Sequence, residues 1–389
     1  MAQKKHQKHA KLAKPNLGFF GRQEWAIVGT SRGNIQQLAY AITKALAPSY
    51  QVSYVDADHQ NADDQNIAKK AAIHLGAAIE YTGKITHHRF ETNSQLSLST
   101  YQFRQFFNES DLVLVNGNHF PAKRQIVVID PKKEKSLAKK LDCLTDVGLI
   151  LMVETTDQVP DYLQEHLPNL STIPTLNLSD TAKIIDFLRQ SLVDNLPPLY
   201  GLVLAGGKSQ RMGQNKGLID YHGKPQREYM ADLLSAVCEQ TFLSVRTSQD
   251  EISDYSFLED TFSGLGPFGA IASAFRRVPN AAWLVVACDL PLLNQATLKT
   301  LVDARNPSAV ATAFNSPVTE FPEPLICIWE PKSYPILLQF LTQGYSCPRK
   351  VLINSNVHLL DASDPQCLMN VNRPEEMKEV QQLLKFMPQ

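Results

Sequence analysis

Residues 202–217 read Leu-Val-Leu-Ala-Gly-Gly-Lys-Ser-Gln-Arg-Met-Gly-Gln-Asn-Lys-Gly, and the fold class follows from how this stretch is built. Leu202–Ala205 is an apolar run of the length a buried strand needs, and it breaks at Gly206-Gly207. Glycines let the backbone take positive φ and come close to a ligand, so successive N–H groups can turn toward phosphate oxygens. Lys208, Arg211 and Lys216 then place three cations within nine residues. A triphosphate carries comparable negative charge, and charge-assisted contacts are the strong ones. A lone Gly-Gly pair beside surface lysines is an ordinary turn. The coincidence of strand, double glycine and three spaced cations reads instead as a phosphate-binding loop.

Around this loop the pattern is that of an α/β protein. Trp283–Cys288 is a second buried-strand run with Asp289 at its carboxyl end, where open α/β sheets bind ligands. A carboxylate there suits Mg²⁺, although Asp is also a favoured cap for a following helix. Asp260 and the glycines Gly264, Gly266 and Gly269 around Pro267 fall between the two strands and read as a ligand loop or a tight turn. Asn370 and Asn372 flank Val371, so in an extended segment both face one side; Pro374-Glu-Glu then suits a helix start. In the first half, Trp25–Val28, Val52–Val55, Leu112–Val115, Ile126–Ile129 and Gly148–Val153 read as strands, with a helix over Ile35–Leu46. The prolines Pro197-Pro198 suit an exposed linker. The expectation is a basic tail over 1–20, an α/β domain over 21–195 and a second over 199–389. Both are doubly wound with mostly parallel sheets, the second Rossmann-like.

Bulk properties narrow the function. The chain has 389 residues, 43% hydrophobic and 20% charged, with a formal net charge of −1. That balance argues against a chain-wide nucleic-acid footprint, and no apolar run approaches a membrane span. Six scattered cysteines without a Cys-x-x-Cys pair suggest reduced thiols and a cytoplasmic protein. The basic segment Met1–Pro15 lacks the apolar core of a signal peptide. The His87-His88 pair has no matching ligand cluster.

The stretch Leu204–Lys216 resembles the signature loop of the molybdenum cofactor guanylyltransferases, the MobA-like nucleotidyltransferases. Leu265-Gly-Pro-Phe-Gly-Ala-Ile271, Val285–Leu292, Glu323–Ile328 and Asn370–Glu375 are similar to that family's later motifs, in the same order. The resemblance implies transfer of GMP from GTP to the terminal phosphate of molybdopterin, with Mg²⁺ on Asp289 and release of pyrophosphate. It implies that Leu204, Ala205, Gly206 and Gly207 bind the nucleotide, with Lys208, Arg211 and Lys216 as the cations on its phosphates. Asp260, Gly266 and Pro267 would meet the nucleoside, and Asn370 and Asn372 the acceptor. Molybdenum-insertion proteins and acceptor molybdoenzymes are the implied partners, and a homo-oligomer is compatible with the sequence. The wider superfamily includes cytidylyl- and sugar-phosphate nucleotidyltransferases, and a non-catalytic molybdopterin carrier is a reading from another class.

The first half resembles MobB, the GTP-binding partner of MobA, in decayed form. Gly29-Thr-Ser-Arg-Gly-Asn-Ile35 stands where a P-loop belongs, but its glycines are one residue too close, and Asn34 and Ile35 replace the lysine and hydroxyl. Asn116 replaces an acid before Gly117. Both departures remove charge needed to handle Mg²⁺ and a triphosphate, so no GTPase activity is expected of this half.

Overall fold

The computed structural model describes residues 18–57, 79–83, 88–92, 100–156, 158–205, 215–246 and 255–386. The chain divides into two compact units, one holding Gln23–Leu188 and the other Arg189–Gln389 together with Phe19–Arg22.

The first unit is built on strands β1 (Gln23–Val28), β2 (Val52–Val55), β5 (Leu112–Asn116), β6 (Arg124–Ile129), β7 (Val147–Met152) and β8 (Thr175–Asn177). They form one sheet in the order β2-β5-β1-β6-β7-β8, and every pairing is parallel. β5 and β7 are buried along their whole length, which explains their uninterrupted Leu, Val and Ile. β3 (Ile79–Gly83) and β4 (His88–Thr92) pair separately as an antiparallel hairpin. The helix after β1 spans Arg32–Leu46 and buries Ile35, Leu38, Ala39, Ile42 and Leu46, the stripe of a 3.6-residue period. It starts three residues before the apolar pattern because Ser31 caps it, accepting a bond from the Asn34 N–H.

The second unit carries β9 (Leu199–Leu204), β10 (Gln240–Val245), β11 (Ser256–Glu259), β12 (Ala282–Ala287), β13 (Ala311–Asn315), β14 (Pro322–Trp329) and β15 (Val357–Leu360). Their order is β11-β10-β9-β12-β14-β13-β15. All pairings are parallel except those of β14, which runs antiparallel to β12 and β13. The carboxyl ends of the six parallel strands and the amino end of β14 therefore share one edge.

β12 is fully buried, and its alternation supplies both cores. Leu284 and Val286 pack with Met230, Leu234, Leu298 and Leu301 on one face. Trp283 and Val285 pack with Phe268, Ile271, Phe275 and Leu337 on the other. Each such side chain contributes about 1.5–3 kcal/mol on burial, and helices cover both faces, as a doubly wound sheet requires. The pair of half-buried Arg305 and buried Glu330 (2.7 and 2.9 Å) also anchors the proline linker, because Arg305 Nη2 donates to the Pro197 carbonyl at 3.0 Å.

A candidate nucleotidyl-transfer site at the carboxyl edge of the second sheet

The loop after β9 is described only at its ends, Leu204-Ala205 and Asn215 onward. Gly206, Gly207, Lys208 and Arg211 lie outside the described residues, as do His87 and the Met1–Pro15 segment. Leu204 and Ala205 are partly buried where β9 ends.

Lys216 is held close to the strand ends by its local turn. Asn215 caps the short 3₁₀ turn Lys216–Leu218 by accepting the Gly217 N–H at 3.0 Å. The Lys216 ammonium then bridges two groups distant in sequence, Asp289 Oδ2 at 3.1 Å and Asn372 Oδ1 at 2.7 Å. Three of the residues expected at the site thus meet at one point.

Asp289 follows β12 and does not cap a helix. That role falls to Asn294, whose side chain accepts the Thr297 N–H at the start of Gln295–Asp303. Asp289 Oδ1 is buried and has no hydrogen-bond partner among the described residues. A carboxylate oxygen with no bonded neighbour is costly unless a cation or donor meets it. The donor set therefore fits a hard divalent cation such as Mg²⁺. Burial and the Asp289 charge push the Tyr221 hydroxyl up to about 12. Burial and the same charge push the Cys288 thiol up to about 12, so it stays protonated.

Asn372 sits in an extended stretch fastened by its neighbours. The Val371 N–H donates to the Asp289 carbonyl at 2.8 Å, and the Val371 side chain is buried with Ile219, Leu292 and Val380. The helix Pro374–Phe386 begins immediately afterwards with proline in its first turn. Asn370, by contrast, is exposed.

Asp260 follows β11 and accepts from the buried Ser244 hydroxyl at 2.7 Å. Burial raises its carboxyl above the ordinary carboxylate value, offset in part by Ser244 and by the charge of Arg246. The following loop is shaped by its glycines. Gly266 has φ +57°, and Pro267 opens the helix Pro267–Arg277. A side chain at Gly269 would stand 2.2 Å from the Phe262 carbonyl, so glycine permits the loop to lie against the helix. Ser273 accepts the N–H groups of Thr261 and Phe262 at 2.9 and 3.2 Å, fixing the loop from the next turn.

Several contributors escape sequence reading. Tyr221 and Ser244 carry no motif of their own, and Asn215 stands in the signature loop without a role read for it. Glu323 stands in a family-like motif, but its partner does not: Arg349 Nη2 donates to it at 3.2 Å from a helix outside that motif.

The first unit's loop is organised differently. Asp56 accepts from Asn116 Nδ2 at 2.6 Å, Arg32 Nε at 3.1 Å, the Tyr54 hydroxyl at 3.1 Å and the Ala57 N–H at 2.8 Å. Thr30 donates to Asp130 at 2.8 Å and accepts from Asn34 Nδ2 at 2.9 Å. Asn118 Nδ2 donates to the Thr30 carbonyl at 3.0 Å, and Lys140 donates to Asn118 Oδ1 at 2.9 Å.

Residues 201–358 match the family model of the MobA-like NTP transferase domain. A Nostoc sp. protein named a probable molybdenum cofactor guanylyltransferase is 30% identical over 191 residues, covering 47% of this chain and 90% of the relative. The chain belongs to the MobA-like NTP transferases. It is a nucleotidyltransferase of that family. A Synechocystis sp. protein named molybdenum cofactor biosynthesis bifunctional protein is 36% identical over 186 residues, 47% of this chain. The chain spans 54% of that relative's length. The crystal structure of molybdopterin-guanine dinucleotide biosynthesis protein A from Archaeoglobus fulgidus covers 48% of this chain and all of its own, with 21% identity and a TM-score of 0.43. No described helix of this MobA-like protein is long and apolar enough to cross a membrane.

Proposed function

We propose that the unit containing residues 199–389 transfers GMP from GTP to the terminal phosphate of molybdopterin. The observation that carries this is the meeting of Lys216, Asp289 and Asn372 at the carboxyl edge of a MobA-like sheet, with one Asp289 oxygen unpartnered among the described residues. A molybdopterin phosphate oxygen forms the new bond to the α-phosphorus as the bond to the β-phosphate oxygen breaks, and pyrophosphate leaves. No protein nucleophile is required; positioning and electrostatic stabilisation supply the rate.

Leu204, Ala205, Gly206 and Gly207 meet the nucleotide where β9 ends. Lys208 and Arg211 neutralise the β and γ groups, and Lys216 faces the α-phosphate. Asp289 would hold Mg²⁺, which when bound neutralises charge on the phosphate oxygens. Asp260 and the Gly266-Pro267 turn meet the nucleoside, while Asn370 and Asn372 face the acceptor. The 21–195 domain, a decayed MobB-like unit without GTPase activity, serves to dock a partner or a second copy. Molybdenum-insertion proteins and acceptor molybdoenzymes are the partners this reading supplies, in the cytoplasm.

The test is pyrophosphate release by the purified chain with Mg²⁺ and molybdopterin, comparing GTP, CTP, ATP and UTP. Release with GTP alone, abolished by Lys208→Ala, is the expected result. Release with CTP or UTP instead keeps the chemistry and overturns the base. No release with any nucleotide moves a molybdopterin carrier to the front.

A further inference from the structure

Glu376 lies in the first turn of Pro374–Phe386, at the third helical position. Its Oε2 accepts the Arg373 N–H at 3.1 Å, the ordinary capping-box contact of a glutamate at that position. The same oxygen accepts the Asn372 N–H at 2.6 Å, one residue further out than the cap requires. Asn372 is thereby fixed from two directions: Glu376 holds its N–H, and the Asp289 carbonyl holds the N–H of Val371 at 2.8 Å. Its amide oxygen is then delivered to the Lys216 ammonium at 2.7 Å, which also contacts Asp289.

From this chain of contacts we propose that Glu376 is a positioning residue for transfer. It acts through the Asn372 backbone to set where the Lys216 ammonium stands between nucleotide and acceptor. A helix cap alone requires the Arg373 contact; the shorter Asn372 contact is the one that serves the site. The inference rests on the guanylyltransferase reading for its kinetic consequence, but not for its geometric one.

Two measurements separate these. In GTP-dependent pyrophosphate release, Glu376→Ala lowers kcat/KM for molybdopterin about tenfold, the scale of one charge-assisted hydrogen bond. The KM for GTP stays unchanged. Glu376→Gln, which keeps a carbonyl acceptor for both N–H groups, restores kcat/KM to within about twofold of the unsubstituted chain. Asn372→Ala with Glu376→Ala is no slower than Asn372→Ala alone, since both act on one contact. Additive effects, or equal losses toward both substrates that glutamine does not rescue, overturn the proposal and leave a plain helix cap.

The second readout needs no turnover: the rate at which an amine-acylating reagent labels Lys216, followed by peptide mass spectrometry. Glu376→Ala speeds labelling about threefold by freeing the ammonium from Asn372, and Glu376→Gln does not. Identical labelling in all three proteins overturns the inference. An unsubstituted chain without turnover refutes the guanylyltransferase reading alone, and the labelling rates then decide the role of Glu376.

Discussion

The two units each carry a strand, a glycine-containing loop and a carboxylate near a strand end, yet they treat that carboxylate in opposite ways. Asp56 in the first unit receives four hydrogen bonds from its own protein. Asp289 in the second receives Lys216 on one oxygen and leaves the other buried with no partner among the described residues. An internally satisfied carboxylate holds the fold together and has little left to offer a ligand. An unsatisfied one beside a lysine on a flexible stem favours binding a cation. A strand, a glycine loop and a carboxylate do not by themselves make a ligand site; what separates the two units is how the polar groups around that carboxylate are balanced.

Removing the Asp289 charge should break this contrast most sharply. Asp289→Asn keeps the volume and an acceptor for Lys216 but removes the anionic oxygen. Turnover should fall by about a thousandfold, roughly 4 kcal/mol of transition-state stabilisation. Pyrophosphate release at increasing Mg²⁺ measures it, and thermal stability should stay level or rise because an unpartnered buried charge has gone. Activity within about tenfold of the unsubstituted chain would remove Asp289 from the metal role.

The strand–helix alternation was legible because it rests on local patterns, and so was the place of Asp289 just beyond the carboxyl end of a buried strand. The five apolar runs of the first half fall on observed strands, and Leu202–Ala205 and Trp283–Cys288 fall at β9 and β12, with Asp289 just beyond the carboxyl end of β12. The antiparallel direction of β14 was not legible, since an apolar run buried on both faces looks the same in either direction. Likewise the expected helix start at Ile35 moved to Arg32, because Ser31 is polar and its capping contact leaves no periodic trace. Asn116 stands where the MobB resemblance expects an acid, but its role, donating to Asp56 beyond the end of the neighbouring strand, depends on strand pairing. Glu376 shows the same limit: Pro374-Glu-Glu signalled a helix start, while the contact to Asn372 needs coordinates.

The opposite arm of the contrast is Asp56. Its hydrogen bonds from Asn116, Arg32, Tyr54 and the Ala57 N–H outweigh burial and hold its carboxyl below the ordinary value. A folded pKa below the unfolded one contributes stability above about pH 4 that is lost as pH falls through the folded value. Asp56→Ala should therefore destabilise the first unit by about 2 kcal/mol at pH 7, with the deficit shrinking in acid. Denaturant unfolding at pH 7 and pH 3 reads this directly. GTP-dependent turnover should be unchanged, and a parallel loss of turnover would show that the first unit's polar network serves the chemistry after all.

The mildest change is expected at Asp260, where the second unit again keeps a carboxylate its fold would prefer to lose. Burial raises its folded pKa, so the folded state favours the protonated form. The sign is the reverse of that at Asp56: the stability is present below the unfolded pKa and is lost as pH rises through the folded one. At pH 7 the ionised group is thus a burden, relieved only in part by the Ser244 hydroxyl at 2.7 Å and by Arg246. Asp260→Asn keeps the acceptor for Ser244 and removes the charge, so the melting temperature at pH 7 should rise by about 1–3 °C. The gain should shrink as pH falls toward the unfolded carboxyl value and the aspartate takes up its proton. If Asp260 meets the nucleoside, the same substitution should raise KM for GTP several-fold, on the scale of one hydrogen bond to a charged group. A gain in stability without any change in KM would make Asp260 a structural residue of the β11 turn. A loss in both would mean that its charge is better compensated in the fold than Ser244 and Arg246 alone allow.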